Sequence, residues 1–206
     1  MLDTWVKLSD SLQTRDKIYR FIQYLSKFLY HYTKSRKLKN LISSIGQARK
    51  LYRAGKFLNF IQAIKTQTSN DDLLRFLSLA RNSSLSLYFV HDFFVWLESV
   101  QLVQSKYDFK KIGSVFWLSG ISFNIVACLY KIRVLNLDLE WIKKSKHAEK
   151  IIQLENDLHK MKFQIVQSCL DFLIPASVCG LLSLSDRTVG MAGSITSLMG
   201  LYALRK

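Results

Sequence analysis

The side chains in this sequence whose types and spacing could do chemistry are cations set among aromatics. Arg20, Lys27, Arg49, Lys50, Arg53 and Lys56 recur at helical intervals between Ile18, Phe21, Tyr24, Leu25, Phe28, Leu41, Ile45 and Tyr52, and almost no acid interrupts residues 14–58. The chemistry this supports is non-covalent: cations attract phosphate, and bulky apolar side chains bury themselves beneath lipid headgroups. At about 100° per residue, Ile18, Phe21, Ile22, Tyr24, Leu25, Phe28, Leu29 and Tyr32 share an arc of roughly 160°. Arg20, Lys27 and Lys34 cluster opposite that arc.

Residue types that carry covalent or metal chemistry are scattered. His31, His91, His147 and His159 form no i, i+4 pair and no His-Glu-x-x-His motif. Gly55-Lys56-Phe57 lacks the hydroxyl residue of a phosphate loop, and no Gly-x-Ser-x-Gly elbow occurs. Asp71-Asp72 reads as a helix cap, and Asp138 and Glu140 as loop or interface charge rather than an acid–base pair. Cys128, Cys169 and Cys179 lie in or beside apolar stretches without Cys-x-x-Cys spacing, so they read as buried thiols in a reducing setting. The expectation is a non-enzyme with no cofactor and no metal.

Composition narrows the partner. A net charge of +15 accompanies 49% hydrophobic residues, and residues 1–60 hold thirteen Lys and Arg against Asp3, Asp10 and Asp16. Such an excess points to nucleic acid or to the phosphate surface of a lipid leaflet. Long uncharged stretches decide for lipid, because a nucleic-acid module does not need them. The predicted partner is an anionic phospholipid membrane, with no nucleic acid. No cleavable signal peptide is expected, since residues 1–10 contain no uninterrupted apolar core.

The elements that must position these residues are helices, because the chain has one proline, Pro175, and few alternating β-branched runs. A lead-in helix around Leu2, Trp5, Val6 and Leu8 precedes a first long helix over 14–32, capped by Thr14 with Asp16 in its first turn. A second helix covers 38–64, weakened by Gly46 and Gly55. Residues 66–72 form a polar linker, and 73–103 a third helix that is apolar nearly all round.

Residues 112–130 contain no charge and are bracketed by Lys110, Lys111, Lys131 and Arg133, with Trp117 and Tyr130 placed as an aromatic belt. As a helix they reach roughly 28 Å, close to the thickness of a hydrocarbon core. A charged helical loop at 131–162 follows. Residues 163–185 are apolar but carry Asp171, which is costly at bilayer depth. In 188–204, Gly190, Gly193, Ser197 and Gly200 form one smooth face, expected to pack against the preceding segment as a membrane hairpin. The predicted fold is thus an all-α, membrane-associated bundle in three parts: basic amphipathic helices at 1–65, a central apolar helix at 66–111 and a membrane-embedded region at 112–206.

Two N-terminal blocks, Arg15-Asp-Lys-Ile-Tyr-Arg-Phe-Ile-Gln-Tyr24 and Ala48-Arg-Lys-Leu-Tyr-Arg-Ala-Gly-Lys-Phe57, resemble the signatures of the peroxisomal membrane protein 11 family. Leu87-Tyr88, His91-Asp92 and Trp96-Leu97 resemble its central block, and Gly193-Ser-Ile-Thr-Ser-Leu-Met-Gly-Leu-Tyr202 its glycine-rich end. Phe93 departs from the asparagine found there in many members. The resemblance implies a non-enzymatic peroxisomal membrane protein that elongates and divides the organelle, working as a homo-oligomer with recruited fission machinery. The alternative is an oligomeric pore for small metabolites, built from helices around 112–130 and 163–204 with Asp171 and Asp92 facing water. Positive charge at the N-terminal end predicts a cytosolic N-terminus.

Overall fold

The computed structural model describes residues 11–145 and 148–204. The expected lead-in helix, His147 and the last two residues lie outside that range. Helices α1 (Leu12–Thr33), α2 (Arg36–Tyr52), α3 (Lys56–Lys65), α4 (Asp72–Ser99), α5 (Phe109–Ser145), α6 (Ala148–Val178) and α7 (Asp186–Leu204) make up the fold, and no strand occurs among the described residues.

Local chemistry sets the breaks between them. Ser11, not Thr14, caps α1: its hydroxyl accepts from the Thr14 amide at 3.1 Å. Lys34 ends the helix in the left-handed region at φ 49°, turning the chain sharply into α2. The single helix expected over 38–64 is two, because Gly55 adopts φ 80° between α2 and α3, a conformation that a side chain resists. Asp71 caps α4 through the Leu74 amide at 2.9 Å and also accepts the Tyr130 hydroxyl at 2.9 Å, tying α4 to α5.

The helix neighbours close a cycle: α1 packs on α7, α7 on α6, α6 on α5, α5 on α4, and α4 through α2 back to α1, while α3 packs on α4. Gly113 and Gly120 let α5 approach α4 closely, since an added Cβ would stand 3.0 Å from His91 and Leu85 respectively. The belt residues turn inward instead. Trp117 stacks on Tyr88 with ring centroids 5.2 Å apart, and Tyr130 reaches Asp71, because each finds an aromatic or hydrogen-bonding partner on α4.

Polarity is distributed inside-out. Arg20, Arg49, Asn82, Ser114, Ser168 and Thr196 are buried, whereas Val115, Val126 and Leu129 on α5 and Met191, Ile195, Leu198 and Tyr202 on α7 are exposed. In water this arrangement would leave large apolar faces uncovered; in lipid those faces meet acyl chains. Helix α5 is the one helix among the described residues that is long and apolar enough to cross a membrane, and its most apolar stretch is only 28% buried in the bundle. At about 1.5 Å per residue it is roughly 55 Å long. Its charged C-terminal part therefore projects beyond a hydrocarbon core. The expected charged loop at 131–162 is helical for most of its length, the end of α5 and the start of α6, and residues 163–178 continue α6 rather than forming a separate span. Of the three cysteines only Cys128 is buried; Cys169 lies on the exposed side of α6 near Val166.

Candidate membrane interface and the ionic cavity behind it

The wide apolar arc of α1 is divided along its length. Tyr24 and Phe28 face α7, where the glycine face admits them: a Cβ on Gly190 would lie 2.5 Å from the Phe28 backbone nitrogen, and one on Gly193 would overlap the Tyr24 ring. Gly200 admits the Lys17 stem at 2.9 Å in the same sense, and Ser197 is fully buried on this face. The smooth face of α7 thus meets α1 far more than the preceding helix α6. The reason is steric, since the Tyr24 ring and the Phe28 backbone fill the groove left by missing side chains.

The other half of the arc is open. Ile22, Leu25, Leu29 and Tyr32 follow one another along α1 and are exposed, Tyr32 to 57%. Ile18 and Phe21 are half-buried between the two halves. On α2, Leu41 is exposed and Ile45 half-buried, and Tyr52 stacks on Tyr19 with ring centroids 5.8 Å apart.

The cations predicted to anchor headgroups are placed differently from that expectation. Arg20 bonds to Asp171 of α6, Arg49 to Asp16 at 2.9 Å, and Arg53 to Asp92 of α4 at 2.7 Å. Lys27 pairs with Asp186 of α7 at 3.4 Å. Lys50 and Lys56 line a partly open cavity of about 440 Å³ bordered by α1–α6. The physical reason for the four pairs is that a charge withdrawn from water requires a partner, and an acid from another helix stands within reach of Arg20, Lys27, Arg49 and Arg53. Four exposed cations lie together at the turn between α1 and α2: Lys34, Arg36, Lys37 and Lys39. They continue from the end of the open apolar stripe, next to Leu29 and Tyr32.

Inside the cavity wall, Gln23 accepts from Arg49 at 2.7 Å and donates to the Ile42 carbonyl at 3.3 Å, so α1 and α2 are bolted together by a polar network. No buried side-chain nitrogen or oxygen lacks a partner among the described residues. Burial alone would raise the Asp16 carboxyl, but Arg49 and then Arg53 outweigh it and hold it below the usual carboxylate range. Burial, then Arg20, bring the Lys17 amine down from the ordinary lysine range to about 8. Burial and then Asp92 push the Tyr88 phenol above its usual range. Asp16, Asp92, Gln23, Lys17 and Lys110 were missed as members of one site. The available signal was the presence of isolated acids, Asp92 and Asp171, within apolar stretches rich in arginine partners. The Asp92 and Asp171 side chains are 10% and 17% exposed, each held by its arginine. No group of histidines, cysteines and acids that could hold a metal occurs among the described residues.

Comparison with known proteins identifies the family. The family model of peroxisomal biogenesis factor 11 (PEX11) matches residues 2–205. The chain belongs to the PEX11 family. Its relatives include a peroxisomal membrane protein PMP30B of Candida boidinii, 29% identical over 95% of this chain and 91% of that one. Another is a peroxisomal membrane protein 11 homolog of Dictyostelium discoideum, 26% identical over 98% and 94%. Human peroxisomal membrane protein 11A is 23% identical over 98% and 96%. No solved structure matches. The protein is a peroxin of the peroxisomal membrane, and the inside-out polarity of its bundle fits that location. Both N-terminal signature blocks map onto the ionic wall: Asp16, Lys17 and Arg20 come from the first, and Arg49, Lys50, Arg53 and Lys56 from the second. In this PEX11 chain, the most distinctive sequence therefore builds the interior of the fold.

Proposed function

We propose that this PEX11 protein remodels and elongates the peroxisomal membrane, promoting division, by inserting the open edge of α1 into the cytosolic leaflet and by self-association. The observation that carries the reading is the continuity of the exposed stripe Ile22, Leu25, Leu29 and Tyr32 with the exposed cations Lys34, Arg36, Lys37 and Lys39. Apolar side chains wedged below the headgroups expand one leaflet, and the cations hold the wedge at the surface. At about 1 kcal/mol per cation near anionic lipid, the four supply roughly 4 kcal/mol. The N-terminus faces the cytosol in this reading, and the exposed faces of α5 and α7 serve lipid contact and homo-oligomerisation. Fission machinery would act on the elongated membrane.

Reconstitution of the full chain into anionic and neutral vesicles tests this. Tubulation of anionic vesicles by the wild type, lost in Leu25→Asp/Leu29→Asp with the fold retained, is the expected result. Equal tubulation by that variant would remove α1 as the wedge.

A further inference from the structure

The cavity behind α1 and α2 holds more positive charge than its own acids neutralise. Three of its cations are the arginines already paired with Asp16, Asp92 and Asp171. Four more, Lys17, Lys50, Lys56 and Lys110, line the same space, and none of them forms an ion pair with a carboxylate among the described residues. Lys50 donates to Gln47 at 3.3 Å and Lys56 stands 5.0 Å from the Phe89 ring centroid, so two have neutral partners. Lys17, Lys50 and Lys56 are half-buried and Lys110 is exposed, and like charges that line one cavity repel each other, more strongly where they are withdrawn from water. Burial is the leading cause that lowers Lys17, Lys50 and Lys56; Asp92 and Asp16 oppose it at Lys50 and Lys56 ahead of the push from Arg53, and at Lys17 Arg20 adds to it before Asp171 and Asp16 oppose it.

We propose that this cavity is a binding site for a phosphorylated anion, gripped by Lys17, Lys50, Lys56 and Lys110. A phosphate monoester carries about −1.5 to −2 charges and accepts hydrogen bonds on three oxygens, which suits a cluster of ammonium groups better than a single carboxylate does. The paired arginines spend only part of their five N–H donors on the acids, leaving donors for the same anion. Phe60, Tyr88, Phe89 and Trp117 line the same cavity and offer apolar surface suited to an organic group carried by the phosphate. A cavity of about 440 Å³ accommodates a ligand of that size. The phosphate can arrive on a free small molecule or on a lipid headgroup.

The full chain in nanodiscs of neutral lipid, melted with and without probe, separates these sources. Pyrophosphate or inositol hexakisphosphate at saturation should raise the melting temperature by about 5 °C if the source is a free molecule. If the source is a headgroup, only a short-chain phosphatidylinositol phosphate should do so. In either case Lys17→Gln/Lys56→Gln/Lys110→Gln should lose the shift while melting, without probe, at or above the wild-type temperature, because repulsion has been removed. Lys65→Gln/Lys150→Gln, whose lysines lie on the exposed surface, should keep it. Should the triple variant not fold, equilibrium binding of labelled pyrophosphate and of the short-chain lipid to Lys110→Gln alone decides, with an affinity loss of about tenfold expected. The proposal is overturned if no probe shifts the wild type, if the cavity variants keep the full shift or affinity, or if the surface variant loses it.

Discussion

Two sets of basic residues stand within one short stretch of this chain and behave oppositely. Arg20, Arg49 and Arg53 are turned inward onto acids, and their side chains are at most 14% exposed. Lys34, Arg36, Lys37 and Lys39 project from the turn between α1 and α2. The residue types are almost the same; only the helices packed around them differ. Charge density alone therefore does not locate a membrane-binding surface. What separates the two sets is whether an acid from a distant helix is within reach.

The comparison can be broken most strongly from the inside. Asp171→Asn leaves Arg20 buried without its counter-charge and should destabilise the bundle by about 3 kcal/mol or more, whereas Lys37→Gln should leave it within about 0.5 kcal/mol. Thermal melting of both variants in the same detergent reads the difference directly. Equal melting temperatures would mean that Arg20 is no more internal than Lys37.

Next in size is the seam between the terminal helices. A methyl group added at Gly190 meets the Phe28 backbone, which cannot rotate aside, so Gly190→Ala should cost about 1 to 3 kcal/mol. At Gly55 the same substitution has open space around it but a positive φ, and it should cost about 1 kcal/mol through backbone strain. Melting curves that rank the two in the reverse order would contradict the seam.

On the outer set, Lys37→Gln/Lys39→Gln should weaken flotation with anionic vesicles by about 2 kcal/mol, or roughly thirtyfold, and reduce its salt dependence. Helicity and melting should be unchanged.

The smallest effect is a titration. Lys17 has a folded pKa of about 8, below its unfolded value, so the folded state sheds this proton first. The resulting contribution is complete above the unfolded lysine range and is lost as pH falls through about 8. Stability should therefore climb between pH 8 and about 10, and Lys17→Met should flatten that climb. Asp16 acts at the other end, its contribution vanishing as pH drops through and below the usual carboxylate range. Melting temperature against pH, wild type beside Lys17→Met, is the check.

Much of the fold was legible because helices announce themselves locally. The arc from Ile18 to Tyr32, the polar run before Asp72, the uncharged core of α5 and the glycine face of α7 all have signals within a few turns. The partner of each face was not legible, because partners come from far along the chain: Arg20 meets Asp171 across 151 positions, and Arg49 meets Asp16 across 33. A wide apolar arc looks the same whether lipid covers it or a glycine groove does. Gly190 and Gly193 showed that something packs closely on α7, but nothing local named α1. Asp171 was visible as an expensive acid, and its cost is offset by an arginine assigned to the surface. The break at Gly55 was readable as a weak point in a helix, yet its positive φ follows from how α3 folds back onto α4.

The central claim is that α1 shows one edge to lipid and the other to α7. Single nitroxide labels at Leu25, Phe28 and Leu29, placed on the full chain with its native cysteines replaced by serine and reconstituted in vesicles, test it through accessibility to dissolved oxygen. The account predicts high oxygen accessibility at Leu25 and Leu29 and low accessibility at Phe28. Equal accessibility at all three would mean that α1 lies free on the membrane, and would contradict it.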